Sequence, residues 1–467
     1  MERRPLGVVM LAAGLGTRMR SERAKVLHEL AGRPLVQHPL RAVAELEPQR
    51  VALVVGHQAE EVTRAADAVG LAGLRPVIQS EQRGTGHAVL CTREVFRDWD
   101  ADVLILYGDV PLIRAQTLRA LVDAHHDDGA ALSLLTLRVD DPQGYGRIVR
   151  DDRGRVCRIV EHRDATAAEL AITEINPGIY FVRADLLDTL LGRLRPDNAQ
   201  DELYLTDIVQ LAAEAGERIA SVEVRDPDEV RGINTRAELA RLETRVRRDI
   251  VERLMAAGVT FEDPATAYVD DTVEIGRDAV IGPNVTLRGR TRIGVGTRID
   301  GTAHLQDTIL GERVHLLFSC VCDGAEVGDD AVVGPFARLR PGTRLADRVH
   351  IGNFVETKQA VLGEGTKANH LTYLGDCEIG TETNVGAGTI TCNYDGFDKH
   401  RTTIGDRVQI GSDTQLVAPV SVGDDAYVGA GTTVTKNVPA GSLAITRAPF
   451  RLIDGWVDRF RARKRRS

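Results

Sequence analysis

A short run near the start of the chain combines residue types that can bind phosphate. Residues 11–25 read LAAGLGTRMRSERAK and directly follow an apolar run. Glycines after a buried strand, here Gly14 and Gly16, let backbone N–H groups approach an anion, while Arg18 and Lys25 supply charge that offsets phosphate desolvation. The run matches neither G-x-G-x-x-G nor the P-loop lysine motif, so it predicts a phosphate-binding loop without naming the ligand.

A carboxylate occupies a comparable position further along the chain. Asp109 lies in LYGDVPLI, just after the apolar residues 103–107. In parallel α/β sheets ligands bind beyond the carboxyl ends of the strands, which is where this side chain is expected. Mg²⁺ prefers hard oxygens and commonly takes one or two carboxylates plus substrate phosphate, so Asp109 is a candidate Mg²⁺ ligand. The alternative is an ordinary turn residue ahead of Pro111.

These residues require a sheet that brings strand ends together. Up to about residue 235, apolar strands alternate with helix-like segments, which predicts a Rossmann-like α/β domain with a parallel sheet over residues 1–235. The expected strands are residues 7–12, 51–55, 103–107 and 132–137. Residues 236–257 are predicted to form one amphipathic helix that connects two domains, because their apolar side chains recur three or four positions apart. These side chains are Leu239, Leu242, Val246, Ile250 and Leu254.

Beyond that helix, apolar residues recur every six positions. A hexad sustained this long is typical of a left-handed parallel β-helix, in which each hexad forms one short strand and turn, and each inward aliphatic side chain stacks on its counterpart in the next coil. The predicted domain covers residues 258–467 and includes a C-terminal tail. The repeat runs through Ile275, Ile281, Leu287, Ile293, Ile299 and Leu305, then Val327, Val333, Leu339, Leu345 and Ile351, then Ile404, Ile410, Leu416, Val422, Val428 and Val434.

Bulk composition narrows the functional classes. The 467 residues carry a formal net charge of −9, which disfavours a nucleic-acid binder, so bound phosphate needs local cations. No apolar stretch reaches about 18 residues, hence no membrane span is predicted. Six scattered cysteines without C-x-x-C spacing fit reduced thiols in the cytoplasm. The HHDD cluster at residues 125–128 is interpreted as a solvated helix end, and the basic terminal RFRARKRR as a solvated or partner-contacting tail.

Several motifs together resemble one family. L-A-A-G-x-G-T-R-M at residues 11–19, followed by AKVLHELAGRP, is similar to the signature of sugar-nucleotide pyrophosphorylases. QSEQRGTGHA, LYGDVPLI, GYGRIV, IVEHRDA, EINPG and the hexad repeats extend the likeness over essentially the whole chain, which resembles the bacterial bifunctional enzymes that make UDP-N-acetylglucosamine for cell-wall peptidoglycan. The resemblance implies acetyl transfer from acetyl-CoA to glucosamine-1-phosphate, then uridylyl transfer from UTP to N-acetylglucosamine-1-phosphate with release of pyrophosphate.

The resemblance also implies roles for residues of the first domain. Arg18 and Lys25 would be catalytic, and Asp109 together with Asn234 in GINTR would bind Mg²⁺. Pro177 stands where a small residue with a free N–H is expected, next to one of the sugar-binding residues. The implied substrate-binding residues are Leu11, Ala12, Gly14, Gln79, Gly84 and Thr85 for uracil and ribose, Gly146, Glu161 and Asn176 for the amino sugar, and Lys25, Tyr107, Gly108, Asp109 and Asn234.

A second constellation lies among the hexads. FARLRPG, ETK, KANHLTYLGD and NVGAGTITCNYDG resemble an acetyltransferase active site. An amine must be neutral to attack a thioester, so a base is required, and by resemblance His370 is that base. An isolated histidine here would more simply be a corner residue bonded to its own turn, but Lys367, Tyr373 and Asn384 nearby in the sequence favour the base. The resemblance assigns Arg340, Lys358, Tyr373 and Asn384 to the sugar phosphate and Ala387, Asn393, Tyr394, Ser412, Ala430 and Arg447 to acetyl-CoA.

The sequence also predicts an oligomeric assembly, and two alternative functions are weighed against the bifunctional enzyme. A flat β-helix face offers only a shallow groove, so a deep acetyl-CoA cleft is expected between subunits of a homotrimer, with Arg447 reaching across. One rival is a pyrophosphorylase whose β-helix only assembles the oligomer, and the set His370, Tyr373 and Asn384 argues against it. The other is a non-enzymatic nucleotide-sensing or translation-factor-like subunit, against which Arg18, Lys25 and Asp109 argue.

Overall fold

A mixed β-sheet of ten strands is the framework of the first half of the computed structural model, which describes residues 4–465. The strands of this half are β1 Leu6–Leu11, β2 Glu29–Leu30, β3 Arg33–Pro34, β4 Arg50–Val55, β5 Leu74–Ile78, β6 Asp102–Tyr107, β7 Leu132–Arg138, β8 Gly146–Arg150, β9 Val156–Val160, β10 Glu174–Asn176, β11 Tyr180–Arg183 and β12 Ile219–Val224. The short strands β2 and β3 form a separate hairpin. The four predicted strands correspond to β1, β4, β6 and β7.

The sheet is parallel on one side only. Strands β5, β4, β1 and β6 are parallel neighbours in that order, with β1 at the centre of this half. The expectation of a parallel sheet throughout was wrong, because β11 inserts antiparallel between β6 and β7, and β8, β9 and β10 are also antiparallel to their neighbours. Alternation of strands and helices predicts parallel pairing, but β11 follows the short β10 without a helix between them, which permits strand reversal.

Helices cover both faces of this sheet. The helices of this half are α1 Gln37–Ala44, α2 Ala59–Asp67, α3 Thr85–Leu90, α4 Arg93–Phe96, α5 Ala115–Asp127, α6 Ala167–Leu170, α7 Ala184–Leu191 and α8 Asp207–Glu214. Apolar residues of α3, α7 and α8 form one core with one face of the sheet, and those of α1, α2 and α5 form the other. Strands such as β1 are therefore buried on both faces, which explains their continuous apolar sequences.

The long helix α9, Arg236–Ala256, begins at a capping box. Glu238 Oε2 accepts the backbone N–H groups of Asn234 and Thr235 at 2.7 and 2.9 Å, and Thr235 Oγ1 accepts the N–H of Glu238 at 3.2 Å. The chain divides into two compact units within this helix, between Val246 and Arg247. The predicted first domain stopped at residue 235, whereas the first compact unit includes the next eleven residues of the helix as well.

The second unit is the predicted left-handed parallel β-helix, built from three columns of short strands. One column is an eleven-stranded sheet: Thr260–Phe261, Val280–Ile281, Arg298–Ile299, His315–Leu316, Val332–Val333, His350–Asn353, Lys367–His370, Asn384–Val385, Gln409–Ile410, Tyr427–Val428 and Leu443–Ala444. The other two columns comprise Tyr268–Val269, Glu274–Ile275, Thr286–Arg288, Arg292–Ile293, His304–Gln306, Ile309–Leu310, Val321–Asp323, Glu326–Val327, Arg338–Leu339, Arg344–Leu345, Glu356–Leu362, Tyr373–Ile379, Ile390–Cys392, Thr402–Ile404, Gln415–Val417, Val420–Val422 and Thr433–Val434.

Each coil of this β-helix takes 17 or 18 residues, since Tyr268 pairs with Thr286 and His350 pairs with Lys367. The predicted hexad residues are buried in the interior except Ile275, which is half-buried near the start of the column. One coil is interrupted, because Cys377 pairs with Thr402, and residues 393–401 leave the column as a loop. A tail with the exposed helix α10, Trp456–Lys464, follows the last coil.

Buried threonines join successive coils at their corners. Thr297 Oγ1 donates to the carbonyl of Gly311 at 2.8 Å and accepts the N–H of Val314 at 3.1 Å. Thr383 makes the same pair of contacts, with Gly405 at 2.8 Å and Val408 at 3.0 Å. The hydroxyl thus satisfies one backbone donor and one backbone acceptor that the short strands leave unpaired.

The histidine pair in α5 corrects one sequence interpretation. His125 is not a solvated cap but is 3% exposed, and its Nδ1 lies 2.8 Å from the hydroxyl of Ser133. Burial lowers its pKa to about 4. The reason is that Leu118, Leu121 and His125 share one face of the helix, so the buried stripe continues into the last turn.

The six cysteines are free thiols. Three are buried in the β-helix, where burial raises the pKa of Cys320 to about 11 and that of Cys377 to about 12. Across residues 4–465, no helix combines the length and the apolar character required to cross a bilayer.

The corner threonines yield a stability prediction. Thr297→Val keeps the side-chain shape but leaves the buried N–H of Val314 and the half-buried carbonyl of Gly311 without this partner, so we expect the second unit to lose about 1–3 kcal/mol of stability. Thr297→Ser keeps the hydroxyl and should lose less. Hydrogen exchange of the segment around Val314, followed by mass spectrometry, should be faster in the valine variant only. Equal exchange in both variants would show that the hydroxyl does not join the coils.

Candidate active sites

A cleft of about 400 Å³ lies at the carboxyl ends of β1 and β6 in the first unit. Its floor is the end of β1 and the turn after it, and the loop before α3 forms a side wall. The residues that line it are Leu11, Ala12, Ala13, Gly14, Lys25, Val26, Gln79, Gln82, Gly84, Thr85, Ala88, Tyr107, Asp109, Glu202 and Asn234. All eight residues predicted to hold uracil, ribose and metal therefore line one cavity.

Two cations and two oxygen-bearing side chains meet at one end of this cleft. Lys25 Nζ donates to Asp109 Oδ2 and lies 3.3 Å from Asn234 Oδ1. Arg18 Nη2 donates to the same Asn234 oxygen at 2.8 Å. Lys25 and Asp109 are each 14% exposed, so their charges interact with less screening than a surface pair. Four residues separated by up to 216 positions thus form one polar cluster.

Local backbone geometry explains why these groups converge. Gly16 has φ of +61°, and a Cβ there would lie 2.6 Å from Lys25 Cβ, so the turn needs glycine to bring Lys25 into place. The backbone N–H of Ile233 donates to the carbonyl of Asp109 at 3.0 Å. Together with the capping box at the start of α9, that bond holds Asn234 beside Asp109.

The same cluster offers oxygens to a divalent cation. Asp109 Oδ2 and Asn234 Oδ1 both contact the Lys25 ammonium, so both can reach a single positive centre. In the part of the chain that the structure describes, no group of three or more His, Cys, Asp or Glu side chains could hold a metal. Two hard oxygens with room for phosphate and water fit Mg²⁺, which keeps waters and substrate phosphate as ligands.

The other end of the cleft is apolar and amide-lined. Gln79 is 7% exposed and its Nε2 donates to the carbonyl of Gly84 at 3.2 Å. Gly84 has φ of +99°, and a Cβ there would lie 2.6 Å from the carbonyl oxygen of Leu203, so only glycine fits. Thr85 Oγ1 accepts the N–H of Leu205 at 3.2 Å, which ties the loop to residues 203–205. The surface is suited to a flat ring with polar edges.

The predicted sugar residues lie beside the cleft, next to Tyr107. Asn176 pairs with Gly146 across β10 and β8. The Asn176 amide is oriented by two hydrogen bonds within the protein: its Oδ1 accepts the N–H of Gly178 at 3.0 Å and its Nδ2 donates to Tyr180 Oη at 2.7 Å. Pro177 therefore leaves Asn176 anchored. The second N–H of Nδ2 is left for a ligand. Burial raises the pKa of Glu161 above its usual range and that of Tyr107 far above it.

Sequence reasoning missed several residues around the cleft. Gln82 Nε2 donates to the carbonyl of Ala13 at 2.9 Å, and Glu202 lines the wall next to Gly84. Asp207, at the start of α8, has its pKa raised to about 6 by burial and then by Asp164. Gln82 stands inside the quoted QSEQRGTGHA run and could have been noted. Glu202, which lines the cleft, and Asp207, whose charge acts on Glu161, lie in segments without a recognisable motif, and only the fold brings them to this region.

In the β-helix, one row of residues carries much of the second predicted site. His370 pairs with Asn353 one coil earlier. Val385 pairs with Ile410 on the next coil. Ala387 and Ser412 each stand two positions beyond these paired residues, so they lie in the same row. Ala430 holds the next place, because Ile410 pairs with Val428. Small side chains thus line one edge of the β-helix directly beyond His370.

His370 is exposed and held by one neighbour. Its Nδ1 lies 2.9 Å from Asn353 Oδ1, so the amide oxygen accepts the Nδ1–H and leaves Nε2 as a free acceptor. Asn353 was not predicted from sequence, since it only becomes adjacent through the 17-residue coil. The arrangement gives an outward-facing imidazole with a fixed tautomer.

Cationic residues gather on the neighbouring column. Arg340 Nη1 donates to Glu356 Oε1 at 2.8 Å, and Lys358 stands one coil further in the same row. The pKa of Lys358 is lowered chiefly by its contact with Lys399, so two ammonium groups lie close together. Lys399 belongs to the inserted loop and was not predicted. Two adjacent cations at the surface are suited to a phosphate.

The remaining predicted residues lie on neighbouring coils, on the inserted loop and in the tail, and they range from buried to exposed. Tyr373 is half-buried beside Gly375, and Asn384 pairs with Lys367. Asn393 donates to Asp376 at the base of the inserted loop, and Tyr394 is 61% exposed on that loop. Arg447 is exposed at the start of the tail.

Comparison with known proteins identifies the family. Residues 7–228 match the nucleotidyl transferase family and residues 401–436 match the bacterial transferase hexapeptide family (six repeats). The bifunctional protein GlmU of Pelobacter propionicus is 49% identical, with 98% of this chain and 99% of that protein aligned. GlmU of Anaeromyxobacter dehalogenans is 52% identical, with 99% and 94% aligned. Because these identities extend over nearly the whole of both chains, this chain belongs to the family of bifunctional GlmU proteins.

Proposed function

We propose that the chain carries out its family's two reactions at the two separate sites described above. The β-helix transfers acetyl from acetyl-CoA to glucosamine-1-phosphate. The first unit then transfers uridylyl from UTP to N-acetylglucosamine-1-phosphate, which yields UDP-N-acetylglucosamine, a cell-wall precursor, and pyrophosphate. The observation that carries the proposal is the contact of Lys25 with both Asp109 and Asn234 in the cleft.

Uridylyl transfer needs alignment and charge neutralisation. An oxygen of the sugar phosphate attacks the α-phosphorus of UTP, and the bond from that phosphorus to the bridging oxygen of pyrophosphate breaks. Arg18 and Lys25 bind the phosphate chain and balance the charge that builds up on the leaving group. Asp109 and Asn234 would hold a divalent metal ion, proposed to be Mg²⁺, which supplies further neutralisation of the phosphates.

The rest of the cleft positions the two substrates. The amide of Gln79 and the backbone around Gly84 bind the base, and the turn after β1 binds the ribose and phosphates. Glu161 and Asn176 hold the amino sugar beside Tyr107. The full proposed substrate set is Leu11, Ala12, Gly14, Lys25, Gln79, Gly84, Thr85, Tyr107, Gly108, Asp109, Gly146, Glu161, Asn176 and Asn234.

Acetyl transfer uses His370 as a general base. The sugar amine attacks the thioester carbonyl, a C–N bond forms, and the C–S bond breaks with release of the CoA thiolate. His370 Nε2 accepts the proton that the amine loses, while Asn353 holds the other ring nitrogen. Arg340 and Lys358 bind the sugar phosphate, with Tyr373 and Asn384 on the sugar. Acetyl-CoA is proposed to bind Ala387, Asn393, Tyr394, Ser412, Ala430 and Arg447.

We further propose a cytoplasmic homotrimer whose acetyltransferase sites lie between subunits. The support is an exposed apolar row on the β-helix, formed by Phe318, Phe336, Phe354 and Leu371, which are 49%, 47%, 55% and 64% exposed. Phe450 and Leu452 of the tail are 91% and 76% exposed. Apolar side chains arranged in this way are typical of surfaces buried by a partner.

The metal proposal predicts the effect of Asp109→Ala. Uridylyl transfer should fall by at least about 10²–10³-fold, as expected when one preorganised charged group is removed from the site. Acetyl transfer should stay at the wild-type rate, because Asp109 belongs to the other unit. Pyrophosphate release and free-thiol release measure the two activities in one preparation. Loss of both activities in a folded variant would contradict separate sites.

The base proposal predicts the effect of His370→Ala. Acetyl transfer should decrease by roughly 10²- to 10⁴-fold in kcat, the usual range for a positioned base. His315→Ala is a matched control, since His315 is on the same column of the β-helix but pairs with Asp300. An unchanged kcat in the His370 variant, measured as free-thiol release, would assign the base to another residue.

The shared-site proposal predicts complementation between two inactive variants. His370→Ala and Arg447→Ala chains carrying different tags are co-expressed, and mixed oligomers are purified through both tags. If Arg447 reaches the site of a neighbouring subunit, some sites in the mixture contain both wild-type residues, and acetyl transfer should exceed that of either parent. Mixed oligomers no more active than the parents, or an active monomer in sedimentation, would contradict the proposal.

A further inference from the structure

The side-chain amide of Gln79 has its orientation fixed by the protein. Its amide nitrogen lies 3.2 Å from the carbonyl oxygen of Gly84 and 3.3 Å from Nδ1 of His87. A backbone carbonyl oxygen can only accept a hydrogen bond, so the NH₂ group must face Gly84. Gln79 is 7% exposed and lines the cleft, whereas His87 does not line it.

His87 uses both ring nitrogens within its own helix and loop. It lies in α3, where Nδ1 accepts the second N–H of Gln79, so the proton resides on Nε2. That Nε2 is 3.9 Å from Sγ of Cys91, one helical turn later, and sulfur is a weak acceptor. Each group in the series Gln79, His87 and Cys91 therefore has a partner of the right kind.

The contacts of Gln79 with Gly84 and His87 leave one polar atom of the Gln79 side chain for a ligand. With both N–H groups used inside the protein, only Oε1 is left to contact the base, and it can only accept. Uracil presents a donor at N3–H, whereas N3 of cytosine is an acceptor and would repel Oε1. We propose that His87 is a positioning residue that sets the preference for uracil over cytosine by fixing the Gln79 amide. This inference rests on the proposed uridylyl transfer.

Removal of the acceptor at His87 should relax this selectivity. One N–H of Gln79 would lose its partner. The rotated amide still loses the bond to Gly84 and turns Oε1 toward that carbonyl, but it is disfavoured by one hydrogen bond less than in the wild type. The rotated amide presents an N–H to N3 of cytosine. The expected change is in base discrimination at the first step of binding, seen mainly in KM, and not a general loss of catalysis.

The experiment compares UTP and CTP as substrates of the full-length protein with N-acetylglucosamine-1-phosphate and Mg²⁺. Three variants are measured. His87→Leu removes the acceptor at similar size, His87→Asn places an amide oxygen near the position of Nδ1, and His57→Leu alters an exposed histidine that does not line the cleft. The kcat with UTP is measured in each preparation to confirm that the first unit, which carries both histidines, is folded.

We expect the ratio of kcat/KM for UTP over CTP to fall by about tenfold in His87→Leu, as for the loss of one net hydrogen bond. His87→Asn should restore most of the ratio, and His57→Leu should keep it. A wild-type ratio in His87→Leu would overturn the inference, as would a leucine-like ratio in a folded His87→Asn variant. Wild-type protein that forms no nucleotide sugar from UTP would instead overturn the proposed function on which it rests.

Discussion

Two polyanions must be brought together by a protein whose own net charge is −9. The net negative charge of the protein does not attract anionic substrates, so positive charge has to be concentrated where the phosphates bind. The first unit does so by bringing Arg18 and Lys25 to the end of β1, where Asp109 and Asn234 already hold them. These two partners keep the side chains of Arg18 and Lys25 extended and ordered before substrate binds. Less reorganisation is therefore needed when phosphate takes the place of the partners. Gly16, the Ile233–Asp109 backbone bond and the Thr235–Glu238 capping box all serve this one arrangement.

A different constraint governs the second unit. A β-helix repeats its backbone every 17 or 18 residues, so residues far apart in sequence form rows along its surface. His370 gains Asn353 as its partner in this way, and the small residues Ala387 and Ala430 line the edge beyond it. Regular coils make shallow surfaces, and the exposed phenylalanine row and tail offer further apolar contact area. The loop at residues 393–401 departs from the repeat and brings Lys399 to Lys358.

Most of the fold could be predicted from the periodicity of apolar residues in the sequence. The six-residue repeat alone predicts the β-helix, and apolar runs locate β1, β4, β6 and β7. Strand direction was not predictable, because β11 inserts antiparallel through a short connection that leaves no periodic signal. Sequence motifs predict a metal ligand and the general base, because Asp109 stands in LYGDVPLI and His370 stands in KANHLTYLGD. Asn353 and Glu202 stand outside these runs. His87 stands inside QSEQRGTGHA, but its role depends on contacts with Gln79 and Cys91 that only the folded chain creates. The interpretation of His125 as part of a solvated helix end was wrong, because its spacing from Leu118 and Leu121 places it on the buried face of α5.

We infer that one chain performs two successive transfers at independent sites. Phosphorus-31 NMR of the purified full-length protein with glucosamine-1-phosphate, acetyl-CoA, UTP and Mg²⁺ tests it directly. Signals of UDP-N-acetylglucosamine and pyrophosphate should grow only when acetyl-CoA is present, and N-acetylglucosamine-1-phosphate in place of glucosamine-1-phosphate should remove that requirement. Efficient nucleotide-sugar formation from glucosamine-1-phosphate without acetyl-CoA, or UTP that remains unconsumed in the complete mixture, would contradict it.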